Sequence, residues 1–453
     1  MTDQFFVYGT AAVIVVLILS QIFRRSFDPF APVWLFLTGY GQIYVVQAIT
    51  CREYGLHARG VEVVTQANAR ALWALVWFLA VYFCGLGRVI SAKLPRPPQG
   101  WSTPAVVSIA PLLIVWGLIC AGVAIRQTGV PESAEASLLR QFPTMMLAGG
   151  ILLLVTGRQP SRPQPALTAA GIAVVVAYVL IWMFNAKRSH SLFGVLTGIC
   201  AYYTPRLRRP SLPILSATAM IGVLVVSLAI GWRGNGGYEQ SAGGFLNYVS
   251  EFDPSSILVN LSLKSGEEEP TDEPRSRETD EYGAFLLMMD TVPEKSPHDY
   301  GASYLRIVST YIPRLIWHNK PLYGREQWVS AWIAGSEFPR DASFTGPAIS
   351  ILGACQLNGG PLATAVVMAV VALMLRTSYD YYRYHALNPW AQVWWALTFY
   401  NAWMLTANDD PFVWFYYNYG HTTLPPLAFF WIYNALASRH APAQGQAWEV
   451  AVA

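Results

Sequence analysis

The residues best suited to chemistry stand in Tyr311-Ile312-Pro313-Arg314-Leu315-Ile316-Trp317-His318-Asn319-Lys320-Pro321, two cations between two prolines with aromatics on either side. Proline fixes its own φ and pushes the preceding residue toward extended backbone, so Arg314 and Lys320 are expected on a stiff turn. Stiff cations of this kind suit an anionic ligand. His318, Arg325 and Arg340 share the stretch, and each taken singly is as well read as a surface residue.

Other polar residues stand out against apolar surroundings. Asn185-Ala186-Lys187-Arg188-Ser189-His190-Ser191 crowds three basic side chains into a turn between two apolar runs. Its competing reading is snorkelling at a helix end. Gly231-Trp232-Arg233-Gly234-Asn235-Gly236-Gly237 sets an arginine on a glycine-rich turn, where backbone can approach a phosphate closely or a helix can simply stop. Glu251 and Asp253 follow Phe245, Leu246, Tyr248 and Val249, on a helix expected near the membrane surface. His421 follows the aromatic run Trp414 to Tyr419, which reads first as an interface belt and second as a set of rings that suit sugar faces.

The elements that must position these residues follow from composition. Hydrophobic residues make up 54% of the 453 positions, aromatics 14% and charged residues 13%, where soluble domains carry about 25% charged. The chain therefore reads as an all-α polytopic membrane protein of about 11 spans. These fall near Phe5–Phe23, Phe30–Ile49, Ala71–Ile90, Pro104–Ile125, Leu138–Thr156, Ala166–Phe184, Ser191–Tyr203, Leu212–Ile230, Ile349–Leu375, Trp390–Leu405 and Val413–Leu436. Ser191–Tyr203 is short for a span, and Gly359-Gly360 could cut Ile349–Leu357 off as a re-entrant piece. Three regions result: an N-terminal helix bundle over 1–231, a loop subdomain over 232–345, and C-terminal helices over 346–453.

The five cysteines have no CxxC or Cys/His spacing, so neither a disulfide framework nor a metal site is expected. A net charge of +3 is too small and too scattered to argue for nucleic acid. The segment from Ser265 to Glu281 lacks any apolar period and reads as a solvated excursion.

Orientation follows from the asymmetry of Lys and Arg at the span ends. One side collects Arg24, Arg25, Arg88, Lys93, Arg96, Arg158, Arg162, Arg206, Arg208, Arg209, Arg376, Arg383 and Arg439; the other collects Arg52, Arg59, Arg70, Arg126, Arg140, Lys187 and Arg188. The first set is expected to be cytoplasmic. The first apolar run has no small-residue cleavage site, so it reads as a retained helix with its N-terminus outside. The long loop is then expected to face outward, which in the inner membrane of a Gram-negative bacterium is the periplasm.

Ile312-Pro313-Arg314-Leu315-Ile316-Trp317 with Lys320-Pro321, after a long outward loop and before a glycine-punctuated helix, resembles Wzy-type O-antigen and exopolysaccharide repeat-unit polymerases. The Lys187-Arg188-Ser189 turn resembles that family's basic turn. The similarity lies in the architecture of the whole chain and in these two short motifs; the family commonly has more spans and keeps both termini inside. What the resemblance implies is a GT-C-like glycosyltransferase that needs neither metal nor other cofactor. It would transfer the growing glycan from undecaprenyl diphosphate to the next lipid-linked oligosaccharide repeat unit, among membrane lipids and alongside a chain-length regulator, with no nucleic acid involved. Lys187, Arg188, Arg233, Arg314, Lys320 and Arg325 would then bind the diphosphate, whose charge rises in the transition state. Glu251, Asp253, His190 and His421 are all candidates for the base that takes the acceptor proton. Ligase-like transfer to another acceptor, and a lipid-linked sugar flippase, are the rival readings. A metal-dependent GT-C enzyme fits less well, since Cys51–Arg70 offers only Glu53 and Glu62.

Overall fold

The computed structural model describes residues 2–126, 142–234, 242–255, 257, 281–305, 312, 316–318, 348–407, 412 and 419–440, all in helices, turns and connecting segments. Helix α1 (Thr2–Phe23) descends to a turn at Arg24 and Arg25. The chain returns through α2 (Pro32–Gly41), which runs on into a π-helical turn, Gln42–Gln47, and a last short turn, Ala48–Thr50. Helix α3 (Arg52–Phe83) bends at Gly60 and stops before Gly85, whose φ of 87° starts the short α4 (Leu86–Ser91). Next come α5 (Thr103–Arg126), α6 (Thr144–Gly157), α7 (Pro165–Phe184), α8 (Arg188–Tyr203) and α9 (Leu212–Gly234). Two shorter helices follow, α10 (Ala242–Ser250) and α11 (Glu281–Thr291), the second with Tyr282, Phe285 and Leu286 in the main core. The C-terminal part holds α12 (Ser350–Tyr384), α13 (Pro389–Thr398), α14 (Asn401–Ala407), a π-helical turn at Tyr419–Thr423 and α15 (Leu424–His440).

Among the described residues six helices are long and apolar enough to cross a membrane: Asp3–Phe23, Arg52–Phe83, Thr103–Val123, Pro165–Phe184, Leu212–Trp232 and Ser350–Tyr384. Thr144–Gly157 and Leu424–Leu436 are shorter apolar helices. The expectation of about 11 spans counted apolar runs, of which one is divided, one changes helix type, and Leu138–Thr156 and Val413–Leu436 lie partly outside the described residues. Phe30–Ile49 passes through the π-helical turn, and Trp390–Leu405 is split between α13 and α14. The run read as Ala71–Ile90 is a helix that begins 19 residues earlier, at Arg52, because its first turns are polar and their partners lie on other elements.

Small residues let the N-terminal helices touch. Every residue of α6 is buried, and a Cβ placed on Gly149 would come within 2.8 Å of the Ala110 carbonyl on α5. One on Gly171 of α7 would meet the Leu154 amide at 2.7 Å, so these backbones pack directly, as helices do where lipid supplies no hydrophobic drive. The centre is aromatic. Phe36 stacks on Phe78 at 4.0 Å, the Tyr40 hydroxyl donates to the Ala71 carbonyl at 2.6 Å, and the Tyr44 hydroxyl donates to Ser350 Oγ at 2.8 Å.

Ion pairs stand at both ends. At one, Tyr379 donates to Asp28 Oδ2 at 2.5 Å, Arg376 pairs with Asp380 at 2.7 Å, and the Arg158 guanidinium lies 3.7 Å from the centre of the Tyr202 ring. At the other, Arg52 pairs with Asp3 at 2.6 Å, and Asp290 takes both Arg59 at 3.2 Å and Lys295 at 2.9 Å. Glu281, read from sequence as the close of a solvated excursion, is half-buried here and accepts from Gln47 Nε2 at 2.5 Å, which ties α11 to the end of α2.

Candidate functional site

The basic turn between α7 and α8 is closed by its own backbone. Asn185 Nδ2 donates to the Ile181 carbonyl at 2.6 Å, Ala186 takes a left-handed φ of 54°, and the Lys187 amide reaches back to the Trp182 carbonyl at 2.9 Å. This is a helix stop of the kind that satisfies terminal carbonyls. Helix α8 then restarts at once, with the Ser191 hydroxyl donating to the Lys187 carbonyl at 3.2 Å. Lys187 is left exposed and Arg188 half-buried, while His190 lies against Trp182 with ring centres 4.5 Å apart. The Tyr400 hydroxyl donates to the Ser189 carbonyl at 2.8 Å and so ties the turn to the segment before α14.

Behind that tie is a cavity of about 40 Å³ lined by Thr144, Ser189, His190, Phe193, Tyr400, Asn401, Met404 and Thr422. It has room for a water molecule, which needs about 10–15 Å³, or for a small polar group. Two lining atoms, Thr144 Oγ1 and Asn401 Nδ2, are buried with no hydrogen-bond partner among the described residues. Buried polar groups are ordinarily paired, so two orphans on one cavity mark a place where something polar is received. His190 precedes the apolar run that starts at Ser191; burial first and the Lys187 charge second hold its imidazole down to about 4. It is therefore neutral near pH 7, with a ring nitrogen able to accept a hydrogen bond.

The residues singled out from sequence fall into three groups. Lys187, Arg188 and His190 share this turn, and the backbone of His421 lies in the π-helical turn whose Thr422 faces the cavity. Trp394 Nε1 steadies that turn by donating to the Tyr419 hydroxyl at 3.1 Å. Arg233 sits at the end of α9, one residue beyond Trp232, whose indole donates to the Phe184 carbonyl at 2.8 Å. That bond brings the end of α9 beside the end of α7. Glu251 and Asp253 are not among the cavity's lining residues. Glu251 is exposed after α10, and Asp253 accepts from both the amide and the hydroxyl of Ser255, bonds that hold its carboxyl below the usual range. Arg314, Lys320, Arg325 and Arg340 lie outside the described residues, and with them most of the stretch that opened the sequence reading. Of it, Ile316 and His318 are exposed and Trp317 is half-buried.

The structure adds a residue that sequence inspection passed over. Helix α12 is broken at Gly359 (φ 153°) and Gly360 (φ 61°, ψ −130°), a pair of conformations suited to glycine, and Pro361 opens the second half. Arg70 of α3 comes to this break, its Nη1 3.1 Å from Gln356 Oε1 and 3.5 Å from Thr364 Oγ1. Gln356 is itself fixed, donating to the Val292 carbonyl at 2.5 Å, and its own carbonyl is 2.9 Å from His298 Nδ1. Both partners that the described residues give Arg70 are neutral. The available signal was an arginine directly before an apolar run together with a Gly-Gly-Pro break. Among the described residues no three His, Cys, Asp or Glu side chains converge as metal ligands.

These features define a helical multi-pass membrane protein with two polar clusters, at the basic turn before α8 and at the break in α12. No family model, curated protein or solved structure matches the chain.

Proposed function

We propose that the protein is a membrane glycosyltransferase that polymerises undecaprenyl-diphosphate-linked oligosaccharide repeat units on the outer side of a bacterial inner membrane. The observation that carries this reading is the cavity where His190, Asn401, Thr144 and Thr422 meet beneath the Lys187-Arg188 turn, a neutral imidazole and two orphaned polar atoms next to cations. In the reaction the acceptor sugar hydroxyl attacks the anomeric carbon of the donor glycan, its proton passes to a base, and the carbon–oxygen bond to the lipid diphosphate breaks. His190 is the base this geometry favours, because it lines the cavity and Glu251 and Asp253 do not. Lys187, Arg188, Arg233, Arg314, Lys320 and Arg325 would hold the diphosphate as charge builds on the leaving oxygen. Arginine's planar fork matches such an oxygen pair without a metal.

A second reading has an observation of its own. Transporters use the ends of broken helices to bind charged substrates, and a broken helix with an arginine beside it favours a lipid-linked sugar flippase. One experiment separates the two. The purified protein, given lipid-linked repeat units in detergent with EDTA, should build glycan ladders, and His190→Ala should abolish them at unchanged protein yield. A wild-type protein that forms no polymer yet moves substrate across vesicles would overturn the enzyme reading. Ladders that form only when a different lipid acceptor is supplied would assign it to ligase-like transfer.

A further inference from the structure

A second cavity lies at the other, arginine-rich end, where the mechanism above uses nothing. It measures about 180 Å³ and opens between the end of α1 and the start of α9, with Arg25 and Arg209 on its walls together with Ile22, Phe27, Leu212 and Leu215. Segments 24–28 and 206–209 bring five arginines against one aspartate, Asp28. We propose that this groove seats the phosphate of an anionic glycerophospholipid, its acyl chains running along α1 and α9.

Arginines at a helix end often do no more than snorkel, with their heads free in water. Arg209 is different: its Nη1 donates to the Phe27 carbonyl at 3.0 Å and its Nη2 lies 3.9 Å from Asp28. The carboxylate only partly offsets it, because Nη2 stays 3.9 Å away and one aspartate faces five arginines, while the Tyr379 hydroxyl at 2.5 Å and the Phe30 amide at 3.1 Å hold Asp28 in place. Arg25 is also held in place. It adopts a left-handed φ of 53°, and the turn around it is closed by the Ser26 and Phe27 amides, both donating to the Gln21 carbonyl at 3.0 and 3.1 Å. The Arg209 guanidinium and the backbone that carries Arg25, from segments far apart in sequence, are thus held at one mouth. The apolar run of α1 ends at Phe23 and that of α9 begins at Leu212, so the mouth lies at headgroup depth. Leu212 is 57% exposed and offers apolar surface to a chain descending from that depth. A site with cations at its mouth and aliphatic walls below fits a lipid phosphate better than a free ion, which would have no use for the walls.

Native mass spectrometry of the full chain in detergent, with palmitoyl-oleoyl phosphatidylglycerol or phosphatidylethanolamine at equal concentration, tests this. The wild type should retain phosphatidylglycerol in preference. Arg25→Gln with Arg209→Gln should weaken that retention roughly thirtyfold, about fivefold per charge removed, whereas the exposed Arg88→Gln at the same end should leave it unchanged. Equal retention of the two lipids by the wild type would overturn the proposal, as would full retention by the double variant or an equal loss in Arg88→Gln. Arg25→Gln alone, at an exposed position, takes the place of the double variant if that fails to accumulate. The wild type gives an independent reading through its melting temperature, which phosphatidylglycerol should raise above its value in phosphatidylethanolamine. The same rise produced by inorganic phosphate would assign the groove to a free anion and overturn the lipid reading.

Discussion

Thr144→Val tests whether the cavity beside His190 is a working site or a packing fault. Valine keeps the branched shape of threonine and replaces the hydroxyl by a methyl group at a residue only 5% exposed. In the folded protein that hydroxyl has no partner among the described residues. Leaving a buried polar group unpaired costs about 1–3 kcal/mol, so removing it should stabilise the fold by about that amount. The same change takes one hydrogen bond from whatever enters the cavity; a neutral bond is worth about 0.5–1.5 kcal/mol, or roughly two- to tenfold in kcat/KM. The expected variant is therefore more heat-stable and less active, the trade expected where a site is kept polar for its ligand. The assay pairs apparent melting in detergent at fixed scan rate with the initial rate of ladder formation. A variant no more stable than wild type and equally active would show that Thr144 Oγ1 belongs to no site.

Arg314 lies outside the described residues, and its chemistry can still be separated from its charge. Arg314→Lys keeps the cation and loses the fork, so ladder formation should slow by roughly two to three powers of ten if it grips a diphosphate and stay normal if it only anchors the loop at the membrane. Shortening Glu267–Glu278 to a few Gly/Ser residues should leave polymer synthesis largely intact, because a segment without an apolar face gains little by ordering; loss of polymer from a stably expressed protein would place those carboxylates in the site. Asp290, with Lys295 first and Arg59 beside it, has its carboxyl held below the ordinary 3.8. A depressed carboxyl stabilises the fold above its unfolded value and stops doing so as pH falls through its folded one. The stability gap between wild type and Asp290→Asn should therefore be flat from pH 8 to about 5, no larger than about 1 kcal/mol, and should close below about 4. A gap that widens on acidification would refute the assignment.

The membrane class needed nothing beyond the order of residues, because runs of 18 or more apolar side chains can be satisfied only in lipid or in a buried bundle, and the basic residues gather at one set of run ends. The Lys187–His190 turn was legible for the same reason, as charge breaking an apolar pattern. Hydropathy could not show that Phe30–Ile49 winds through a π-helical turn or that α3 starts at Arg52, since those outcomes depend on partners such as Asp3 that are remote in sequence. Nor could it rank Glu251, Asp253, His190 and His421. Asp253 is occupied by Ser255, two residues on, whereas His190 meets Thr144, Asn401 and Thr422 only because α6, α8, α14 and the π-helical turn converge. Arg70 was visible as a residue and invisible as a feature: the glycine break that its guanidinium meets is carried by another helix. Sequence determines which side chains cannot stay in lipid unaided; only the packing of helices decides which of them stand together, because proximity across a bundle is set by contacts that no single run contains.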